Sequence, residues 1–183
     1  MKKAYTSLLT ATRPCATVFL GDLFDSAKQY EEADFRHAHA RFNWVFADPL
    51  SRQSTPTKQL FLSGNHDLGY DVDEGMNARL AARFEETFSP LNFKVRWRAD
   101  VMCAPSDSGL EDPPHPQGSS SQSSRRTRGS APDISLVFLS STTVDEDATH
   151  TDPTLLANTR AFVQSFNATS QDDVNILFTH IPL

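Results

Sequence analysis

No stretch of this 183-residue chain approaches the ~18 uninterrupted apolar residues that a membrane-crossing helix requires. The N-terminal segment, Met1 to Thr10, is too short in its apolar run and too polar to be the hydrophobic region of a signal peptide. As written, the chain is expected neither to span a membrane nor to enter one. Cysteine is scarce: Cys15 and Cys103 are the only two, too far apart to form a zinc site by themselves, and they leave the redox compartment open. Positive charge is in deficit, with 17 basic residues against 23 acidic ones and a net charge of -6. That balance argues against a broad surface that neutralises nucleic-acid phosphates, so a nucleic-acid partner is not expected and a small or neutral-glycan substrate fits better. The triplet Asn167-Ala168-Thr169 is a glycosylation sequon, a pattern too common to fix a lumenal location.

A hydrophobic content of 38% suffices for one globular domain. Two short apolar runs dominate it. Ala16-Thr17-Val18-Phe19-Leu20 leads into Gly21-Asp22-Leu23-Phe24-Asp25, and Gln59-Leu60-Phe61-Leu62 leads into Ser63-Gly64-Asn65-His66-Asp67. Each reads as a buried strand closed by a turn residue, and in α/β proteins ligands sit at the carboxyl ends of such strands. The spacing predicts a helix over Lys2 to Thr12, with Tyr5, Leu8, Leu9 and Thr12 on one face and Pro14 beyond its end. A second helix, Gln29 to Phe46, carries Phe35, Ala38, Phe42 and Val45 at steps of three and four, which makes a βαβ crossover between the two strands. Pro49 to Thr57 reads as a polar connection.

Met76, Leu80, Phe84 and Phe88 mark a third helix behind the acidic stretch Asp71 to Glu74. Phe93 to Met102 alternates apolar and charged residues, as a half-exposed antiparallel strand does. Ala104 to Pro132 is nearly all Ser, Pro, Gly, Gln, Asp and Arg, and is expected to be a disordered insertion, its Arg125-Arg126-Thr127-Arg128 cluster a solvated charge run. Ile134 to Leu139 reads as a strand. Asp152-Pro153 opens a helix bearing Leu155, Leu156, Thr159, Phe162, Val163 and Phe166, with Asp as its cap and Pro in its first turn. Val174 to Phe178 is a last strand, ending in Thr179-His180.

These strand ends carry metal-site chemistry. A carboxylate can bridge two divalent cations about 3.5 to 4 Å apart, which suits Asp22. Asn65 offers an amide oxygen and His180 an imidazole nitrogen, a mixture suited to manganese, iron or zinc rather than calcium. His66 is left for proton transfer, with Asp67 beside it to hold the imidazole, and Asp25 is placed to orient a ligand. Standing alone, Gly-Asp after a strand is as often a simple turn, and a lone His180 is more often a core histidine. His37 and His39 are two apart on a helix and face different sides, His115 lies in the insertion, and His150 has no evident partner.

Taken together, Gly-Asp-x-x-Asp at 21 to 25, Gly-Asn-His-Asp at 64 to 67 and the late His180 resemble, in order, the calcineurin-like metallophosphoesterases. Met1 to Tyr5, Arg13-Pro14, Thr17 to Asp25, Arg41-Phe42-Asn43-Trp44-Val45-Phe46 and Phe178 to Leu183 are similar to the eukaryotic, yeast cell-division-cycle-like branch that remodels glycosylphosphatidylinositol (GPI) anchors. The resemblance implies an α/β four-layer sandwich, two central β-sheets flanked by helices, and residues 1–183 as an incomplete copy of that domain around the 104–132 insertion. It implies a hydrolase using two divalent ions, manganese first, with Asp22, Asn65 and His180 as metal ligands. His66 and Asp67 are the catalytic pair in that scheme, and Asp25 stands behind the ligands. The implied substrate is a phosphodiester, ethanolamine phosphate on an anchor mannose. The implied location is the lumenal face of the endoplasmic reticulum or Golgi membrane, with attachment through segments this chain does not contain.

Two family elements have no counterpart. No Asp, Glu or His precedes Asp22, where the family carries Asp-x-His, and three residues follow His180, where it continues to Gly-His-x-His. The expectation is a chain truncated at both ends and catalytically incomplete, with one ion site largely missing. The rival readings are another metallophosphoesterase, of nuclease or protein phosphatase type, or a non-catalytic short paralogue.

Overall fold

The computed structural model describes residues 1–47, 57–69, 72–97, 134–143, 151–165 and 174–180. The expected insertion over 104–132 with its arginine cluster, most of the 49–57 connection, Cys103, His115, His150 and the Asn167 sequon lie outside them.

Helix α1 spans Lys2–Thr12 and stops at Arg13, which turns left-handed (φ 45°) and donates its N–H to the Leu9 carbonyl ahead of Pro14. Its expected apolar face is corrected by the structure: Leu9 is buried, whereas Leu8 is 58% exposed. Tyr5, which sets its ring against Phe19 and Phe46, and Leu9 supply its inward side.

Strand β1 (Ala16–Leu20), helix α2 (Glu32–Phe46) and strand β2 (Lys58–Leu62) form the expected crossover. The strands pair in parallel, Ala16 opposite Lys58 through Leu20 opposite Leu62, so both end level and deliver Gly21-Asp22 beside Ser63-Gly64. Period-two alternation divides their side chains. Ala16, Val18, Leu60 and Leu62 face the second sheet; Phe19 and Phe61 face α2, where Phe24, Phe35 and Phe42 form a buried aromatic core. Helix α2 starts later than expected. Ala27–Gln29 makes a separate 3-10 turn, and Tyr30 and Glu31 run extended before the helix begins.

The second sheet is ordered β3 (Phe93–Trp97), β4 (Ile134–Phe138), β5 (Val174–Phe178), antiparallel then parallel. Phe93, Val95, Leu136, Phe138 and Phe178 face the first sheet and form the layer between the two. The architecture is therefore α/β, with two facing sheets and helices packed about them. At the margin, β5 leaves Val174, Ile176 and Leu177 between 41 and 54% exposed, despite their apolar character.

Four-residue helix α3 (Asn65–Leu68) begins two residues after β2, with Gly64 as its N-cap. Helix α4 (Glu74–Thr87) is capped by Asp73, whose Oδ1 accepts the Met76 N–H at 2.9 Å, and it buries Leu80, Ala81 and Phe84 over Leu68 and Leu91. Helix α5 (Pro153–Ser165) has the expected Asp152 cap, accepting from Thr154 and Leu155. Its inward face is narrower than expected: Thr159 is buried against Asn92 and Thr143, while Val163 is 48% exposed. Cys15, just ahead of β1, is disulfide-bonded. Among the described residues no helix is long and apolar enough to cross a membrane.

Candidate metal centre

The centre forms where three strand ends meet. After β1, Gly21 (φ 91°) and Asp22 (φ 51°) both adopt the left-handed conformation, which costs a non-glycine residue about 1 to 2 kcal/mol and which Asp tolerates better than most. This turn throws the Asp22 carboxylate back towards the end of β2. Its Oδ1 accepts the His66 N–H at 3.0 Å, and its Oδ2 lies 3.2 Å from His180 Nε2. The approach requires Gly64, because a Cβ there would collide with the Asp22 carboxylate and amide. Asn65, first residue of α3, points its Oδ1 to within 3.1 Å of the same His180 Nε2.

His180 arrives from the opposite sheet, two residues beyond β5. Its Nδ1 is 2.6 Å from the Leu20 carbonyl, an acceptor that fixes the proton on Nδ1. In the neutral ring Nε2 then carries a lone pair, and this lone pair faces the Asp22 and Asn65 oxygens. Three electron-rich atoms converge, on side chains that are one-third exposed for Asp22 and 18% exposed for His180. Such a set either shares a proton or accommodates a cation, and one imidazole nitrogen with two oxygens suits a borderline divalent ion. Among the described residues no group of three His, Cys, Asp or Glu side chains gathers to hold an ion. The set that does gather contains two such residues and one amide, so the donor set fits a single, partly hydrated ion.

His66 lies beside this cluster, its side chain 46% exposed. Its Nδ1 donates to the Asp25 backbone carbonyl. That bond, followed by the charge of Asp22, holds the imidazolium above its ordinary 6.5. Nε2 is thereby the nitrogen left to work on a ligand.

Asp67 has a different task from the one its place in the sequence suggests. As the third residue of α3 it folds back, accepting the Gly64 N–H at 2.9 Å and the Leu23 and Phe24 N–H groups at 3.2 Å. With its carboxylate buried and its oxygens so engaged, it staples the β1 and β2 ends together and does not hold the His66 ring. Burial pushes its pKa up to about 6, outweighing the three N–H donors that favour the charged form. Asp25 likewise acts otherwise than its side chain implied. That carboxylate is 97% exposed and 3.9 Å from His66 Nδ1, and the orienting group is its backbone carbonyl.

His39 packs on Phe35 and Phe88 and meets Asn43, and neither it nor His37 joins the centre. Sequence reasoning missed Asn77 and Ser140. Asn77 donates to the Leu68 carbonyl, closing α3, and Ser140 accepts from Ser63 at the end of β2. No local pattern marks either, since their partners come from other elements.

No family model matches the chain, and no solved structure matches it. Among curated proteins, Metallophosphoesterase 1 of Xenopus laevis is 34% identical over 89 residues, covering 49% of this chain and 20% of that protein. Metallophosphoesterase 1 of Danio rerio is 28% identical over 95 residues, covering 52% and 23%. Cell division control protein 1 of Saccharomyces cerevisiae is 33% identical over 81 residues, covering 43% and 16%. The chain thus spans about a fifth of the length of the curated relatives it matches. Over about half of its own residues it is related to proteins named as metallophosphoesterases.

Proposed function

We propose that this chain is the ion-holding part of a metallophosphoesterase whose substrate is ethanolamine phosphate on the mannose of a GPI anchor, at the endoplasmic reticulum or Golgi membrane. The observation that carries the reading is the convergence of Asp22 Oδ2, Asn65 Oδ1 and His180 Nε2 from three strand ends. The relatives' names supply the reaction class; the anchor substrate and its compartment rest on the sequence resemblance.

Asp22, Asn65 and His180 would hold the ion, manganese by preference and iron or zinc as alternatives. When bound, a divalent cation supplies Lewis-acid polarisation of the phosphoryl group. This chain's residues do the rest. The Leu20 carbonyl keeps the His180 proton on Nδ1, so that Nε2 is available as a ligand. Asp67 and Gly64 keep the two strand ends at contact distance. His66, with Nδ1 anchored and its protonated form favoured by that bond and by Asp22, is placed to hand a proton from Nε2 to a departing alkoxide.

Three side chains holding one ion bind it weakly, so the chain by itself is expected to take up manganese yet hydrolyse phosphate esters poorly. Manganese titration followed by electron paramagnetic resonance tests the site: Asp22→Ala and His180→Ala should each lose binding, and His66→Ala should retain it. Unaltered binding in the first two would refute the assignment. The substrate is tested on the natural full-length polypeptide, by release of ethanolamine phosphate from a synthetic mannosyl glycan against nucleic-acid and phosphopeptide esters. A preference for either of the latter would move the protein to another branch of phosphoesterases.

A further inference from the structure

Arg83, on α4, lies outside every motif, yet it reaches the loop that carries the site. Its Nη2 donates to the Ala27 carbonyl at 2.6 Å and its Nη1 to the Tyr30 carbonyl at 3.1 Å, while the guanidinium sits 4.2 Å over the Phe35 ring. Among the described residues no carboxylate is within ion-pair distance, so a partly desolvated cation is held on backbone carbonyls. A planar fork that grips two carbonyls of one turn fixes that turn's position and tilt, which a single flexible donor does not.

The gripped turn is Ala27–Gln29, which begins two residues after Asp25. The stretch between Asp22 and Tyr30 is therefore fastened at both ends: Asp67 takes the Leu23 and Phe24 N–H groups, and Arg83 takes the Ala27 and Tyr30 carbonyls. Between those fastenings lies the Asp25 carbonyl that receives His66 Nδ1–H. Arg83 and Asp67 line the same small cavity beneath the loop, together with Phe24, Leu80 and Phe84.

We propose that Arg83 is a positioning residue: by gripping the Ala27–Tyr30 turn it holds the Asp25 carbonyl where it keeps the His66 proton on Nδ1 and directs Nε2 to the phosphoester. The use made of Nε2 rests on the phosphoesterase reading; the coupling from Arg83 to the His66 ring does not. A guanidinium on carbonyls 53 and 56 residues away in sequence thus sets which nitrogen of the ring works.

The test reads the ring directly. Long-range proton–nitrogen correlation spectra of the nitrogen-15-labelled chain, recorded without metal or substrate, show which His66 nitrogen carries the proton. The parent should show the Nδ1-protonated tautomer. Arg83→Met should convert most of the neutral ring to the Nε2-protonated form favoured by free imidazole, and Arg83→Lys, which lacks the fork, should give a mixture. Leu9→Ala, destabilised at a buried site on α1 remote from the loop, should lower the melting temperature and leave the tautomer unchanged.

A parent-like tautomer in Arg83→Met would overturn the proposal, as would equal loss of it in Leu9→Ala or its absence from the parent. If Arg83→Met does not fold, a parent-like spectrum from Arg83→Lys overturns it. An inactive protein with an Arg83-dependent tautomer would instead sink the phosphoesterase reading and leave this coupling standing.

Discussion

Gly64→Ala perturbs the centre through one methyl group. At φ −109° and ψ 177° the Gly64 backbone is open to any residue, so alanine brings no conformational strain of its own. The obstruction is the Asp22 carboxylate and amide, both of which the new Cβ would overlap. An amide nitrogen in a turn already held left-handed cannot yield as the tip of a flexible side chain does. Overpacking of this kind costs about 1 to 3 kcal/mol. For a chain of this size that lowers the melting temperature by about 2 to 12 °C. The same displacement takes Oδ2 away from His180 Nε2, and loss of one of the three proposed ligands should weaken manganese binding at least tenfold, roughly as large as the loss of a supporting contact.

Gly69→Ala is the matched control. Gly69 is left-handed (φ 75°), so alanine is strained there by about 1 kcal/mol, but its Cβ would press on side-chain methyls of Leu80 and Val72, away from Asp22. Thermal unfolding and manganese titration of both variants separate the effects. Gly64→Ala should lose stability and manganese; Gly69→Ala should lose stability alone. Parent-like manganese affinity in Gly64→Ala, or losses that track melting temperature equally in both variants, would refute the reasoning.

Two further predictions concern the fold. Phe42 is buried among Phe19, Phe24, Phe46, Phe61 and Phe88, so Phe42→Ala should cost about 3 to 5 kcal/mol in urea unfolding, and a loss below about 1 kcal/mol would show that the aromatic core can collapse around the gap. Asp67 is raised by burial from 3.8 to about 6. Its protonated form is thus favoured by folding: the stabilisation is complete below the unfolded value and is lost as pH rises through the folded one. The difference corresponds to about 3 kcal/mol between about pH 4 and pH 7 in chelator-treated protein, and Asp67→Asn should remove that slope. Parallel stability profiles for parent and variant would contradict it.

The strands were legible because their marks are local: β1 and β2 are short uninterrupted apolar runs closed by a turn residue, and β3 alternates apolar and charged residues. The split that sends Phe19 and Phe61 one way and Val18, Leu60 and Leu62 the other emerges only from the packing. Caps were legible for the same reason, as at Asp152. Burial on helix faces was less so: Leu8 and Leu9 are equivalent to a periodicity argument, and only the position of the neighbouring helix decides that Leu9 is inward. The grouping of Asp22, Asn65 and His180 could be anticipated from three strand ends, whereas the partners of Asp67 and the role of the Asp25 carbonyl could not. A side chain that turns back to accept backbone N–H groups looks, in sequence, the same as one that faces a neighbouring histidine. Arg83 is the extreme case, because charged residues on helices are usually solvated and nothing nearby marks one that reaches another element's carbonyls.

The three proposed ligands are not held equally. Asp22 and Asn65 follow the ends of neighbouring strands of one sheet, which are joined in register and stapled by Asp67. His180 is placed by the other sheet, through the Phe138–Phe178 pairing, ring stacking at 4.9 Å and the Leu139 N–H to the Phe178 carbonyl at 3.0 Å. Strand β5 is otherwise largely exposed, and segments with few buried contacts open locally at lower free energy than the core. Opening of β5 would therefore remove the nitrogen ligand first and leave two oxygens together. An oxygen-only pair prefers hard ions such as magnesium, whereas the pair with imidazole added prefers manganese, iron or zinc. Discrimination between these ions accordingly depends on how firmly the second sheet packs on the first, so Phe178→Ala should narrow the preference for manganese over magnesium while leaving the Asp22 and Asn65 side chains in place.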